Sequence, residues 1–229
     1  MLKGATIVFD LDGTLVDTAP DLTNALNEVL TRRGHAAVSA EWVRSAVGHG
    51  ARLMIEEGLR RAGVTDDIEE MLAEFLVQYA ANIARESRPF PGAVAALDRL
   101  RAEGAVLAVC TNKREYLSRC LLQELELEDY FSAIAGRDTF PMAKPDPGHL
   151  TGTIALAGGM PSHAVMIGDS DVDLRAAKAA GVPAILVGFG YAAAQLDGLK
   201  PDALIGHFDE LYASVVPLLT GQTRRQARS

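Results

Sequence analysis

Short apolar runs recur along this chain, each closing on a polar residue or a glycine, and they leave few choices of fold. They are Ala5-Thr6-Ile7-Val8-Phe9, Ala105-Val106-Leu107-Ala108-Val109-Cys110, Ser132-Ala133-Ile134-Ala135, Ala164-Val165-Met166-Ile167 and Pro183-Ala184-Ile185-Leu186-Val187. None alternates apolar with polar residues, so each is expected to be a strand covered on both faces. Stretches with helical spacing separate the later runs: Ala93 to Glu103, Glu115 to Leu125, Leu150 to Ala157, and Leu174 to Ala180, the last stopped by Gly181. This alternation predicts an α/β fold, a Rossmann-like parallel sheet with helices on both faces. Ligands in such sheets bind beyond the C-terminal ends of the strands.

The alternation is interrupted once, directly after the first run. Thr18-Ala19-Pro20-Asp21 reads as a helix start with Thr18 as N-cap, and Leu22, Leu26, Val29 and Leu30 continue at helical spacing to Gly34. Helical stretches follow over Ala40 to Val47, Arg52 to Ala62 and Asp66 to Ser87, with no strand between them. The expected organisation is an α/β core of residues 1–16 and 88–220 carrying an all-helical insert of residues 17–87. Pro89-Phe90-Pro91-Gly92 is a stiff return, and the polar, basic stretch 221–229 is expected to be a loose tail.

Composition narrows the function. With 229 residues, 48% of them hydrophobic, the chain can build a core and a second domain. A net charge of -8 makes it a poor general binder of nucleic acid or anionic membranes. No segment approaches the length of a membrane span, and the first apolar run is too short for a signal peptide and is cut by Asp10 and Asp12. Cys110 and Cys120 do not make a disulfide framework, and Cys110 reads as a small buried hydrophobe. A reducing, cytoplasmic location is expected.

The polar residues that close the runs carry the chemistry. Asp10 and Asp12 alternate in an extended chain and can face one pocket, where a divalent cation or a proton would relieve their repulsion. Gly13 lets the backbone turn, and Thr14 offers a hydroxyl to tie the loop. The segment also fits a plain strand and turn. Thr111-Asn112 supplies a hydroxyl and an amide before a helix, either as an anion site or as a helix cap. Lys113 beside them either adds positive charge to that site or is a plain exposed lysine. Lys144-Pro145 holds a point charge that would offset repulsion among carboxylates and a phosphate, or is a surface lysine at a helix start. Asp169 ends the Ala164–Ile167 run after Gly168, with Asp173 four residues on. Hard oxygen ligands of this kind suit magnesium, while acids here also favour a helix N-terminus; Asp171 is assigned that plainer role. His35, His149, His163 and His207 are expected at the surface or at caps, and Trp42 in packing of the insert.

In order and in context, Asp10-Leu11-Asp12-Gly13-Thr14-Leu15-Val16, Thr111-Asn112, Lys144-Pro145 and Gly168-Asp169 with Asp173 resemble the four motifs of the haloacid dehalogenase-like superfamily. The resemblance spans Ala5 to about Gly206. It implies a phosphatase in which Asp10 is the nucleophile and forms an aspartyl-phosphate, Asp12 is the general acid/base, and Thr111, Asn112 and Lys144 hold the phosphoryl group. It implies Mg2+ bound by Asp10, the Asp12 carbonyl and Asp169, with Asp173 behind them. The insert resembles the cap domain of one branch, closing over a small phosphorylated metabolite, with His49 and Arg52 as candidates for substrate specificity. Within that branch, the stretches Asp12 to Leu22, Val47 to Ala51 and Thr111 to Lys113 point to 2-phosphoglycolate as substrate, yielding glycolate and phosphate, in a monomer or homodimer. A sugar phosphate or another small phosphate ester, handled by a phosphatase or phosphomutase, is the alternative. A phosphoacceptor signalling module is the distant one: it keeps its acid pair and phosphoacceptor on different strands and has no inserted cap.

Overall fold

The computed structural model describes residues 2–48 and 50–226. In chain order, the first part comprises β1 (Thr6–Phe9), β2 (Val16–Asp17), α1 (Ala19–Arg32), α2 (Ala40–Ala46), α3 (Ala51–Ala62), α4 (Ile68–Ala81) and β3 (Arg88–Pro89). The second part comprises α5 (Ala93–Ala102), β4 (Val106–Cys110), α6 (Glu115–Glu124), β5 (Ala133–Ala135), α7 (Pro147–Leu156), β6 (Ala164–Gly168), α8 (Asp171–Ala180), β7 (Ala184–Val187), β8 (Ala203–Ile205) and α9 (Leu211–Gln226).

Six of these strands form one sheet in the order β5-β4-β1-β6-β7-β8, and every neighbouring pair is parallel. The period of two along each strand divides the core in two. Ile7, Phe9, Leu107, Val109, Val165, Ile167, Ile185 and Val187 share one hydrophobic cluster with α5, α6, α9 and the helical insert. Val8, Ala108, Cys110, Met166, Ala184 and Leu186 share the other with Leu150 and Ile154 of α7 and Leu174 and Ala177 of α8. The expected α/β architecture is therefore present, and the uninterrupted apolar runs are explained by burial on both faces. No helix among the described residues is long and apolar enough to cross a membrane.

Register decides where chemistry can occur. Phe9 lies opposite Val109 on one side and Ile167 on the other. The residues that follow, Asp10, Thr111 and Asp169, therefore emerge together at the C-terminal edge of the three central strands. The Asp10 N–H still donates to the Ile167 carbonyl at 2.8 Å, so its backbone belongs to the ladder.

The insert leaves and rejoins the core through β2 and β3, an antiparallel ribbon that pairs Val16 with Pro89 and Asp17 with Arg88. This ribbon was not expected, because two-residue strands have no periodicity to read. The helix expected to reach Ser87 ends at Ala81. Beyond it, the buried Asp21 carboxylate accepts from the Glu86 and Ser87 N–H groups and the Ser87 hydroxyl, which turns the chain back toward the core. At the C-terminus, β8 and α9 were also unanticipated. The helix passes Pro217 and Gly221, residues that read as breakers, because Leu211, Val215 and Leu219 are buried in the core. The stretch 221–226, expected to be loose, is helical; 227–229 lie outside the described residues.

Candidate active site

Asp10 sits at the C-terminal end of β1, 6% exposed. Its Oδ1 is 2.9 Å from the Lys144 ammonium, which also donates to Asp173 Oδ1 at 2.6 Å. Both lysine contacts are buried, so neither charge is screened by water. Burial pushes the Asp10 carboxyl up to about 6, against the pull of Lys144 and with the push of Asp173. For Lys144, burial works to lower the pKa, but Asp10 and Asp173 outweigh it and the net direction is upward. Burial pushes Asp169 further, to about 8, helped by the charges of Asp173 and Asp10.

Carboxylate oxygens of Asp10, Asp169 and Asp173 lie within 4.8 Å of one another, all three buried. Crowded hard oxygen donors, with the Asp10 and Asp169 carboxyls pushed up by burial, fit a divalent cation such as magnesium. The three are not equivalent. Asp173 is engaged by Lys144 on one oxygen and by the Ser170 hydroxyl, at 2.8 Å, on the other. Among the described residues, Asp169 Oδ2 accepts only from the Tyr191 and Ala192 backbone. Asp173 thus braces the cluster, whereas Asp10 and Asp169 face it. Asp171 points away, 3.6 Å from Arg175 on the surface of α8. Two glycines make the packing possible. A Cβ on Gly13, where φ is +81°, would lie 2.6 Å from Asp169 Oδ2, and one on Gly168 would lie 2.3 Å from Asp173 Cγ.

The Asp12 loop is closed by backbone bonds, among them Leu15 and Val16 N–H to the Leu11 carbonyl. The Thr14 hydroxyl, expected to tie it, is buried with no hydrogen-bond partner among the described residues. Asp12 Oδ1 accepts from the Thr18 hydroxyl and from the Lys113 ammonium, both at 2.7 Å. Thr18 therefore does not cap α1 with its side chain as expected. The Tyr191 hydroxyl takes that place, accepting from the Thr18 and Ala19 N–H groups and donating to Asp17. Lys113, read from sequence as either a site charge or an exposed lysine, has a side chain only 5% exposed, with its ammonium 4.5 Å from the centre of the Tyr79 ring on α4.

Thr111 is buried and borders the same cavity as Asp10 and Asp12, about 470 Å³ in volume and roofed by the insert. Asn112, expected to hold phosphate, donates its amide instead to the carbonyls of Gly48 and Lys144, both at 3.0 Å. It ties the insert to the Lys144 loop. His149, expected at a surface or cap, is fully buried, and its Nδ1 accepts the Lys144 N–H at 3.1 Å. Arg52 borders the cavity but is hydrogen-bonded to Glu69 and 3.6 Å from Glu56. His49 lies outside the described residues.

Sequence reasoning missed His149 and Tyr191 and left Lys113 open between two readings. Tyr191 had a usable signal, since it follows β7 at the same sheet edge as Asp10. Lys113 acts through a partner distant in sequence, Asp12, whereas His149 acts on the backbone of Lys144, five residues before it.

Comparison with known proteins agrees with this geometry. The model of the haloacid dehalogenase-like hydrolase family matches residues 7–187. A phosphoglycolate phosphatase from Mesorhizobium japonicum is 48% identical over 208 residues, 90% of this chain and 92% of that one. Another from Caulobacter vibrioides is 46% identical, covering 96% and 94%. The crystal structure of a predicted phosphoglycolate phosphatase from Haemophilus somnus superposes with a TM-score of 0.84 at 28% identity, covering 93% of this chain and 98% of that one. With the acid cluster, the buried lysine and the threonine gathered at one sheet edge, the chain belongs to the haloacid dehalogenase-like hydrolase family, as a hydrolase of phosphoric monoesters.

Proposed function

We propose that this enzyme hydrolyses 2-phosphoglycolate to glycolate and phosphate, with magnesium, through an aspartyl-phosphate on Asp10. The observation that carries the reading is the pairing of the buried Lys144 with Asp10, which borders a cavity roofed by the helical insert. The names of the relatives support the choice of substrate. In this reading residues 17–87 are a cap domain and residues 1–16 and 88–220 the core.

The roles follow from position. Asp10 attacks phosphorus and displaces the glycolate oxygen. Asp12, two residues on, delivers a proton to that oxygen and later takes one from the water that cleaves the acyl phosphate. The Thr111 hydroxyl and the Lys144 ammonium hold the phosphoryl oxygens, and Asn112 positions the loop between them. Asp10, the Asp12 carbonyl and Asp169 would hold magnesium, with Asp173 orienting the set. When bound, the cation supplies positive charge that offsets the repulsion between the acid cluster and an incoming phosphate. The cap excludes bulk water from the cavity during transfer.

The test is phosphate release from a panel of small esters with and without magnesium. The highest kcat/KM is expected on 2-phosphoglycolate, and only with the metal. A higher value on a hexose phosphate would remove the substrate while leaving the phosphatase.

A further inference from the structure

We infer that Arg137, supplied by the core, is the cation that reads the substrate's carboxylate, and that Arg52 serves to neutralise Glu69. This deepens the 2-phosphoglycolate reading and rests on it. Among the described residues, four cationic side chains border the cavity: Arg52, Lys113, Arg114 and Arg137. Lys113 is held by Asp12. Arg52 is engaged by Glu69 and Glu56, and Glu69 itself borders the cavity. A carboxylate reaching Arg52 would meet a charge already shared with Glu69 and Glu56 and would lie beside the like charge of Glu69.

Arg137 has no carboxylate or hydrogen-bond partner for its guanidinium among the described residues. Its neighbour Asp138 also borders the cavity, but its Oδ1 accepts the Glu115 N–H at 2.8 Å rather than pairing with Arg137. The Arg137 backbone is fixed against the phosphate loop, its N–H donating to the Lys113 carbonyl at 2.9 Å. The guanidinium reaches across to the insert, where Nη1 lies 2.6 Å from the point a Cβ on Gly50 would occupy. The Asn112 carbonyl flanks the same point at 3.9 Å. The charge therefore stands beside the Thr111-Asn112 loop. That is where a short ligand requires it, because a single methylene separates the ester oxygen of 2-phosphoglycolate from its carboxylate. Arg114 borders the cavity as well, but it is the Arg137 guanidinium that meets Gly50 of the insert. A guanidinium also matches a carboxylate with two parallel donors, which an ammonium does not.

The experiment compares kcat and KM on 2-phosphoglycolate and on 2-hydroxyethyl phosphate, the analogue with a hydroxymethyl group in place of the carboxylate. The wild type is expected to favour the carboxylated ester by about tenfold or more in kcat/KM. Arg137→Gln should lower kcat/KM on 2-phosphoglycolate by about 10- to 100-fold, mainly through KM, with a loss on the analogue at least about tenfold smaller. Arg137→Lys should fall between Gln and wild type. Arg52→Ala should also impair 2-phosphoglycolate, and the double variant Arg52→Ala/Glu69→Gln should recover it. Equal losses on both esters in Arg137→Gln, or no recovery in the double variant, would overturn the inference while leaving the substrate in place. A wild type without preference for the carboxylated ester would overturn the substrate reading and this inference with it.

Discussion

Replacing Asp10 by Asn keeps the side chain's shape and removes both its charge and its nucleophilicity. Phosphate release is expected to fall by at least about a thousandfold, as for other members of cooperating catalytic sets; near-normal turnover would remove the covalent route. A second residue carries a pH signature. Burial and the adjacent Lys144 charge push His149 down from 6.5 to about 4. Between those values the unfolded chain takes up a proton that the folded chain refuses. The stabilisation is therefore complete above pH 6.5 and is lost as pH falls toward 4. By pH 4.5 this amounts to about 2–3 kcal/mol. Denaturant titrations at pH 7 and pH 4.5 should show that loss shrinking by the same amount in His149→Phe; equal losses in both proteins would contradict it. Asp10, Thr111, Lys144 and Asp169 were legible in the sequence because each stands at the end of an apolar run or beside a proline. Lys113 was not, because its ion-pair partner Asp12 is 101 residues away and nothing local distinguishes it from a solvated lysine.

At the scale of elements, the return from insert to core depends on one carboxylate. Asp21, 2% exposed, gathers the Glu86 and Ser87 N–H groups and the Ser87 hydroxyl. Asp21→Ala leaves these donors without an acceptor and should destabilise the protein by about 3 kcal/mol, read as a lowered denaturant midpoint at unchanged m-value. A shift below about 0.5 kcal/mol would show that water replaces the carboxylate. The central strands and most helices could be read from periodicity, since an uninterrupted apolar run and a 3.6-residue repeat are local properties. The β2–β3 ribbon could not, because its two short strands acquire an extended pairing only from each other. Helix α9 was hidden for a different reason: Pro217 and Gly221 disfavour a helix locally, and burial of Leu211, Val215 and Leu219 overrides them.

For the whole molecule, the acid cluster makes metal content a stability variable. EDTA is expected to abolish phosphate release and added magnesium to restore it. Magnesium at a hundredfold its dissociation constant should add about 2.7 kcal/mol to the unfolding free energy. Full activity after exhaustive chelation, or an unfolding curve indifferent to magnesium, would refute the metal assignment. The ribbon has a consequence on this same scale. Val16 and Pro89 are paired, and the Phe90 N–H donates to the Leu15 carbonyl at 2.9 Å, so the two chain crossings are a hydrogen bond apart. A joint between them would close the core with almost no added loop. The roof of the site is therefore expected to be exchangeable: helices of another length or sequence spliced between Val16 and Pro89 should keep the register that brings Asp10, Thr111 and Asp169 together. The range of esters admitted can then diversify while the phosphorus chemistry stays constant.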